Sequence, residues 1–311
     1  MESLNQVTTN FKIYALAFDK NIHDLLSKLN FQNVVVVSLE DFEDEELLKI
    51  KGTRSQGEYC WTCTASIIKY CIENFNLDHC TYLDADLYFF SSPQILLDEM
   101  KDKSILITEH RYLPKYDVSL TCGKYCVQFM TFKNDEKGMK ALNWWRDRCI
   151  EWCYSRVEDG KFGDQKYLDD WTTRFEGVHE LQHIGGGVAP WNMERYQFLK
   201  DSEGLSLFEK NKGERVPLVF FHFQGLKIHE EVFDFGYYVL PNKVRDYVYR
   251  PYAKHLLEIE EEFERKGYHF NWHAMNPLDR SIKGYLRRFK RILLGNYNFT
   301  KISEIKNGPN Y

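Results

Sequence analysis

The chain has 311 residues, of which 43% are hydrophobic and 28% charged, so it is long enough to bury the core of a soluble globular domain. Its formal net charge of −5 argues against a general nucleic-acid-binding protein, because phosphate contacts require a basic face. No stretch approaches the roughly 20 apolar residues of a membrane-spanning helix, and the N-terminus does not resemble a signal peptide, so we expect a cytoplasmic protein.

Short apolar runs without polar alternation predict strands that are buried on both faces, as in a parallel sheet. In chain order these runs cover residues 11–18, 34–39, 80–90, 104–108, 125–132 and 216–223. Helical stripes of apolar residues lie between them, at 23–29, 58–75 and 138–154. This alternation predicts an α/β fold with a mostly parallel central sheet flanked by helices. We expect one catalytic domain over residues 1–240 and a helical C-terminal extension over residues 241–311.

Eight cysteines raise the question of disulfides or zinc. A chain of this size without a secretory signal is expected to keep its thiols reduced. The pairs spaced by four residues share one helical face, where cysteine packs as a small hydrophobe. A zinc site that includes the CxxC of Cys60 and Cys63 is the alternative.

Two acids interrupt the third apolar run, at Asp84 and Asp86. In a strand, residues two apart point to the same side, so both carboxylates would face one ligand while Ala85 faces away. Partly buried carboxylates are costly unless they are paired or bind a cation, and two close oxygen ligands suit Mg²⁺ or Mn²⁺. The alternative is a turn in which the acids cap backbone amides.

A second polar segment ends the last apolar run, with His222, Gly225 and Lys227. A histidine can complete a metal shell that carboxylates begin. The glycine would let the backbone approach a phosphate, and the lysine would add a positive charge beside a diphosphate. The alternative is a hydrogen-bonded core histidine followed by a turn glycine.

Two further clusters lie between these segments. Asp164 precedes a helical stretch and is either its N-cap or a carboxylate that projects into a cleft, or both. Three glycines at 185–187 lead to Trp191 and Asn192, which predicts a flexible loop whose indole and amide contact a sugar. An ordinary glycine turn is the alternative.

Along the chain, a strand is followed by Asp-x-Asp, then by Asp-Gln, and then by His-x-x-Gly-x-Lys. This order of motifs resembles that of the GT-A (Rossmann-like) glycosyltransferases, in particular glycosyltransferase family 8. Residues 82–90 and 160–167 are similar to those of bacterial surface-polysaccharide glycosyltransferases, and the resemblance covers residues 10–230. It departs at Lys166, where the family has a third acid, and after Lys227, where the usual Pro-Trp is replaced by Ile228 and His229.

The resemblance implies roles for individual residues. Asp84, Asp86 and His222 would hold Mn²⁺ or Mg²⁺, and Asp164 and Gln165 would lie beneath the donor sugar. The nucleotide-diphosphate sugar, with a UDP-sugar favoured, would contact a larger set: Ala15, Ala17, Phe18, Asp19, Asp84, Ala85, Asp86, Gly225 and Lys227.

We therefore expect a metal-dependent transferase that moves a hexose-type sugar onto a glycan or lipid-linked acceptor. By resemblance it would act with retention and belong to surface-polysaccharide or lipopolysaccharide synthesis. In an inverting route Asp164 would be the general base. A sugar nucleotidyltransferase and a non-catalytic nucleotide- or sugar-binding module are the alternatives.

The segment 280–294 is a basic amphipathic helix in an otherwise acidic chain. This pattern is typical of contact with anionic lipid, which would place the protein at the inner face of the cytoplasmic membrane. The alternative is a helix that packs its apolar side on the core and leaves a solvated basic face.

Overall fold

The computed structural model describes residues 1–210, 213–269 and 277–308. In these ranges the strands are β1 (Ile13–Ala17), β2 (Val34–Ser38), β3 (His79–Leu83), β4 (Leu87–Phe89), β5 (Ile105–Glu109), β6 (Tyr125–Lys133), β7 (Val178–Glu180), β8 (Tyr196–Asp201), β9 (Gly204–Glu209), β10 (Val216–Pro217), β11 (Phe220–His222), β12 (Lys227–Ile228), β13 (Val232–Asp234) and β14 (Phe299–Lys301). Every apolar run that predicted a strand overlaps at least one.

The helices of the same ranges are α1 (Glu2–Val7), α2 (Lys20–Leu29), α3 (Leu39–Phe42), α4 (Glu45–Lys51), α5 (Gln56–Asn74), α6 (Gln94–Asp98), α7 (Ser119–Cys122), α8 (Glu136–Glu151), α9 (Trp171–Arg174), α10 (Asn242–Val244), α11 (Arg250–Arg265), α12 (Ile282–Leu293) and α13 (Ile302–Lys306). A π-helical turn over Arg245–Tyr249 joins α10 to α11. The long helix α5 begins with a reciprocal cap, in which Ser55 and Glu58 each accept from the other's backbone amide.

The central sheet has four strands in the order β3-β6-β5-β7. Strand β6 runs antiparallel to both β3 and β5, and only the β5–β7 pairing in this sheet is parallel. The prediction of a mostly parallel central sheet therefore needs correction. The apolar run of β6 reports burial on both faces, since eight of its nine residues are buried, and burial does not fix strand direction.

Smaller sheets surround the central one, and the fold is a mixed α/β arrangement. Strands β1 and β2 pair in parallel, whereas the sheets β11-β4, β10-β9-β8 and β12-β13-β14 are antiparallel. The run predicted as one strand over 216–223 is divided between β10 and β11, which belong to different sheets.

Both faces of the central sheet are covered by apolar side chains. Helices α5 and α8 pack on one face, where Ile105 and Ile107 of β5 share one apolar cluster with Ile68 and Trp145. Leu106, which points to the opposite face, joins a second cluster with Phe220 of β11. All eight cysteines are free thiols, and five of them are buried.

The chain beyond residue 240 shares its core with the strands before it. Val244 and Leu257 pack with Phe221 of β11 and Phe233 of β13 in one cluster. The C-terminal extension also contributes a strand, because β14 pairs with β13. The division at residue 240 remains a prediction, and the extension as described is not purely helical. None of the described helices is both long and apolar enough to cross a membrane.

Candidate metal and donor site

Asp84, Ala85 and Asp86 form a turn between β3 and β4, not part of a continuous strand as predicted. The chain leaves the central sheet here and enters the sheet of β4 and β11. Asp84 N donates to Gln128 O of β6 at 3.1 Å, and Phe223 N donates to Asp86 O at 3.0 Å. The two acids converge because each backbone is fastened to a different sheet, not because of strand alternation.

His222 brings the two carboxylates together. It ends β11 and pairs across the strands with Leu87, the neighbour of Asp86. Its Nε2 lies 3.0 Å from Asp86 Oδ1 and 3.6 Å from Asp84 Oδ2. One ligand atom from each of the three residues lies within 4.8 Å of the others, and among the described residues no cysteine belongs to such a group.

The other ring nitrogen of His222 is held by Gln128. Nδ1 lies 2.7 Å from Gln128 Oε1, so Nδ1–H donates to the amide oxygen and Nε2 faces the aspartates. Burial lowers the pKa of His222, but the hydrogen bond to Asp86 and the charges of Asp86 and Asp84 outweigh burial and raise it. A proton on Nε2 satisfies these acids, and a cation would replace that proton.

The three side chains fit a hard divalent cation. Burial is the main cause of the raised pKa of Asp84, and the negative charge of Asp86 raises it further. The protein alone therefore leaves two close carboxylates with an electrostatic cost that a positive ion would relieve. Two carboxylates and one imidazole suit Mn²⁺, and the oxygens alone also suit Mg²⁺.

Asp164 lies beside this cluster and is 3% exposed. Its Oδ2 is buried and makes no hydrogen bond within the described part of the chain. Burial, with the nearby charge of Asp84 as a further cause, raises the pKa of Asp164 to about 7, although the Thr64 hydroxyl opposes the shift. The side chain does not cap the helical turn Gln165–Leu168 that follows. A buried carboxylate without a complete set of partners is typical of a functional site.

Gln165 is tied to the neighbouring helix α7. Its Nε2 donates to Cys122 O at 2.7 Å, and the side chain is half-buried. Trp145 Nε1 donates to Asp164 O at 2.9 Å and fixes the backbone from the core side. The Asp-Gln pair is therefore held firmly, and the amide oxygen of Gln165 and the second N–H of its Nε2 are left for the predicted role beneath a sugar.

The predicted flexible glycine loop is buried and bonded to β11. Val219 N donates to Gly185 O at 2.9 Å, and His222 N donates to Val188 O at 2.9 Å. A Cβ at Gly185 would lie 2.0 Å from Pro217 O, so glycine is required there for close packing. The loop is thus a rigid support for the strand that carries His222.

Trp191 and Asn192 do not present a surface to a sugar. Asn192 is fully buried, and its side chain makes three hydrogen bonds to backbone atoms of Ala189, His110 and Gly187. Trp191 is 5% exposed and meets the His222 ring edge to face at 5.4 Å. Burial during folding explains the difference from the prediction, and we assign both residues to the wall behind His222.

Lys227 and Asp86 line an open pocket of about 310 Å³, and Gly225 lies two positions before Lys227 in the chain. Gly225 has φ +83°, a conformation in which a side chain would strain the backbone. The space around it is open, so steric contact is not the reason for glycine here. Lys227 is exposed at the pocket wall, and Tyr252 stacks on Phe223 at 3.8 Å as another part of the lining. The pocket joins a carboxylate, a cation and an aromatic surface.

The first strand carries the remaining predicted donor residues. Ala15 lies in β1, and Ala17 is 2% exposed at its end. Phe18 packs in the cluster that contains Tyr82, two residues before Asp84. Asp19 caps α2 by accepting from Ile22 N at 2.9 Å, so its carboxylate has a structural task. Contact of these residues with a nucleotide stays a prediction.

Sequence reasoning missed Gln128 and Thr64. Gln128 is fully buried in β6 and bonds both Asp84, through its carbonyl, and His222, through its side chain. A lone amide within an apolar run was the available signal, because a buried polar side chain requires a partner. Thr64 lies among many small residues of α5 and offers no such contrast.

Two proteins of Bacillus subtilis (strain 168) are similar to this chain. The uncharacterized protein YfnF is 33% identical over 235 residues, which cover 73% of this chain and 76% of YfnF. The chain belongs to the YfnF family. A second uncharacterized protein, YfnD, is 29% identical over 274 residues, or 85% of each chain.

No protein-family model matches this member of the YfnF family. Among solved structures, the apo form of mouse xyloside xylosyltransferase 1 has a TM-score of 0.42 and 12% identity to it, covering 72% of this chain and 89% of that chain.

Proposed function

We propose that this protein is a metal-dependent glycosyltransferase that takes a hexose-type sugar from a nucleotide-diphosphate donor, with a UDP-sugar favoured. The observation that carries the proposal is the meeting of Asp84, Asp86 and His222 beside the buried, unpartnered Oδ2 of Asp164. Their order along the chain, with Gly225 and Lys227 following, supports the resemblance to GT-A glycosyltransferases of family 8.

The residues around the cluster have separable tasks. A divalent ion held by Asp84, Asp86 and His222 would supply Lewis-acid neutralisation of the charge on a departing diphosphate. Lys227 adds a positive charge at the pocket that Asp86 lines, and the bare backbone of Gly225 permits close approach of a phosphate. Gln128 keeps Nε2 of His222 directed at the aspartates.

Asp164 and Gln165 serve the sugar in this proposal. In a retaining route Asp164 orients the sugar hydroxyls and Gln165 steadies the positively charged ring with its amide oxygen. In an inverting route the carboxylate of Asp164 is the general base, and its pKa of about 7 suits proton transfer near neutral pH. The resemblance favours retention, and the anomeric configuration of the product, read by NMR, distinguishes the routes.

The acceptor is a glycan or a lipid-linked saccharide, in surface-polysaccharide or lipopolysaccharide synthesis, as the resemblance implies. Burying Asp164 without a hydrogen-bond partner for Oδ2 has a desolvation cost. This argues against a non-catalytic binding module, because simple binding does not require a carboxylate in so unfavourable a position. The alternative of a sugar nucleotidyltransferase lacks a glycine-rich, basic loop after β1, where the chain reads Asp19, Lys20 and Asn21.

The test is calorimetric titration of the protein with UDP-, GDP- and dTDP-sugars, each with and without Mn²⁺. We expect one donor to bind only with Mn²⁺ and to lose binding in Asp86→Asn, which keeps the shape of the side chain and removes its charge. Asp102→Asn is the matched control, since Asp102 is an exposed acid in a turn away from the cluster. Failure of all three donors to bind in either condition would contradict the proposal.

Binding alone leaves the binding module open, so transfer is measured as well. Release of free nucleotide diphosphate from the bound donor, with water as a slow acceptor, is expected from the enzyme and not from a module. Release of pyrophosphate from a nucleoside triphosphate and a sugar phosphate would instead identify a nucleotidyltransferase.

A further inference from the structure

Helix α12 carries its apolar side chains on the outside of the molecule. Six of them are at least 55% exposed, namely Ile282, Tyr285, Leu286, Phe289, Ile292 and Leu293. At about 100° per residue they occupy one arc of roughly 120° on the helix. A surface helix of a soluble protein normally turns such an arc toward the core. The alternative given for this segment, a helix that packs its apolar side on the core, is therefore wrong.

The opposite side of α12 fastens the helix to the protein through polar contacts. Arg291 is 7% exposed, and its guanidinium donates to both carboxylate oxygens of Asp234 at 2.7 Å. The same group lies between the rings of Tyr237 and Phe299, at 4.6 and 4.7 Å from their centroids. Gly284 fits against Asp279, where a Cβ would lie 2.1 Å from the carbonyl oxygen. These contacts fix which way the helix faces.

Cations border the apolar arc. Lys283 and Lys290 fall on one edge of it by helical position and Arg288 falls beyond the other edge, and residues 280–294 contain no acid. The whole chain carries a formal charge of −5, so this segment is a local reversal of sign. Two copies that paired through this face would bring their cations together, whereas an anionic surface would attract them.

Aromatic side chains continue the surface beside α12. Tyr237 is 58% exposed and Tyr297 is 42% exposed. Tyr237 is adjacent to the helix because Arg291 stacks on its ring. Tyrosine has an apolar ring and a polar hydroxyl, which suits it to the boundary between lipid and water.

We propose that α12 docks the protein on an anionic lipid surface, with its apolar arc in the headgroup layer and its flanking cations against lipid phosphates. The helix lies parallel to the membrane and does not cross it, in keeping with its 12 residues. The proposal rests on exposure and charge at α12 and on the tyrosines beside it, and it does not require the function proposed for the Asp84 cluster.

The test is sedimentation of the full chain with vesicles of phosphatidylcholine, with and without phosphatidylglycerol. We expect binding to the anionic vesicles that weakens with added salt. The pair of changes Leu286→Ser and Phe289→Ser should weaken partitioning more than roughly tenfold, because two large apolar side chains leave the interface. Lys283→Ser and Lys290→Ser should each weaken it about fivefold.

Leu48→Ser is the matched control, because Leu48 is 54% exposed on α4 and lies outside the proposed surface. It should leave partitioning unchanged, and a circular dichroism spectrum of each variant shows that its fold is kept. Absence of binding to anionic vesicles, or equal binding by the control and the α12 variants, would overturn the proposal. A dimer in light scattering that the Leu286→Ser and Phe289→Ser pair dissociates, without vesicle binding, would assign the surface to a second copy and overturn it as well.

Discussion

Gln128 Oε1 accepts a hydrogen bond from His222 Nδ1 at 2.7 Å, while the backbone carbonyl of the same glutamine accepts from Asp84 N at 3.1 Å. One buried residue thus positions two of the three candidate metal ligands. Such outer partners orient an imidazole and set which nitrogen is free for a metal.

Gln128→Met is expected to weaken Mn²⁺ binding about 10- to 100-fold, because the imidazole loses the partner that directs Nε2 toward the aspartates. The backbone bond to Asp84 remains, so the fold should persist. Calorimetric titration with Mn²⁺ alone measures the change. Gln128→Glu is the matched variant that retains an acceptor for Nδ1–H, and it should bind more tightly than Gln128→Met. Equal affinity of the wild-type protein and folded Gln128→Met would contradict the role.

Asp164→Asn is expected to stabilise the metal-free protein at pH 8 and to change its stability little at pH 4.5. The folded pKa of Asp164 is about 7, whereas an unfolded aspartate titrates near pH 4. The native state therefore holds the proton more tightly, and the free energy of unfolding falls as pH rises between these values. The full penalty above pH 7 is about 4 kcal/mol as an upper estimate, at 1.36 kcal/mol per pKa unit.

Urea unfolding in a metal chelator at both pH values measures this effect, with Asp102→Asn as the control that should show no such dependence. If Asp164→Asn shifted stability equally at pH 4.5 and 8, ionisation would not be its cause. If the route is inverting, the same variant should lose at least about 100-fold in sugar transfer, because its amide cannot act as a base. A gain in stability together with a loss of activity would show that Asp164 serves the reaction and not the fold.

Arg291→Leu is expected to destabilise the protein by about 3–5 kcal/mol, because Asp234 is 4% exposed and would be left as a buried unpaired charge. Arg287→Ala is the control, since that side chain is 75% exposed and its pair with Asp279 spans 3.5 Å in solvent. Denaturant unfolding compares the two. The double variant Arg291→Leu with Asp234→Leu should recover most of the loss, and a double variant as unstable as Arg291→Leu would argue against the buried pair.

The six apolar runs each overlap a strand, but the sequence analysis did not predict β7, β8, β9, β12, β13 or β14, nor the direction of the strands or the face of α12 that meets the protein. The apolar run of β6 shows burial, which parallel and antiparallel neighbours provide equally. Amphipathicity likewise shows that a helix has two sides but not which side meets the protein. In α12 the side that meets the protein is set by the ion pair of Arg291 with Asp234, which is 57 positions away in the chain. The local sequence pattern of the helix cannot show such a distant contact.

The candidate site was predicted in part for similar reasons. The convergence of Asp84, Asp86 and His222 agrees with the motif order, although the strand geometry invoked for it was wrong. Asn192 illustrates the limit, because a side chain suited to sugar is equally suited to bonding backbone in a buried turn.

The turn from Asp84 to Asp86 has a mechanical consequence. Asp84 is fastened to β6 in the central sheet, and Asp86 is fastened beside β11 in another sheet. The separation of their carboxylates therefore reports how the two sheets sit against each other. A ligand that draws these carboxylate oxygens together also stiffens the junction between the two sheets. A change that loosens the junction moves the oxygens apart. Ligand affinity and the rigidity of this junction are two measures of a single geometry.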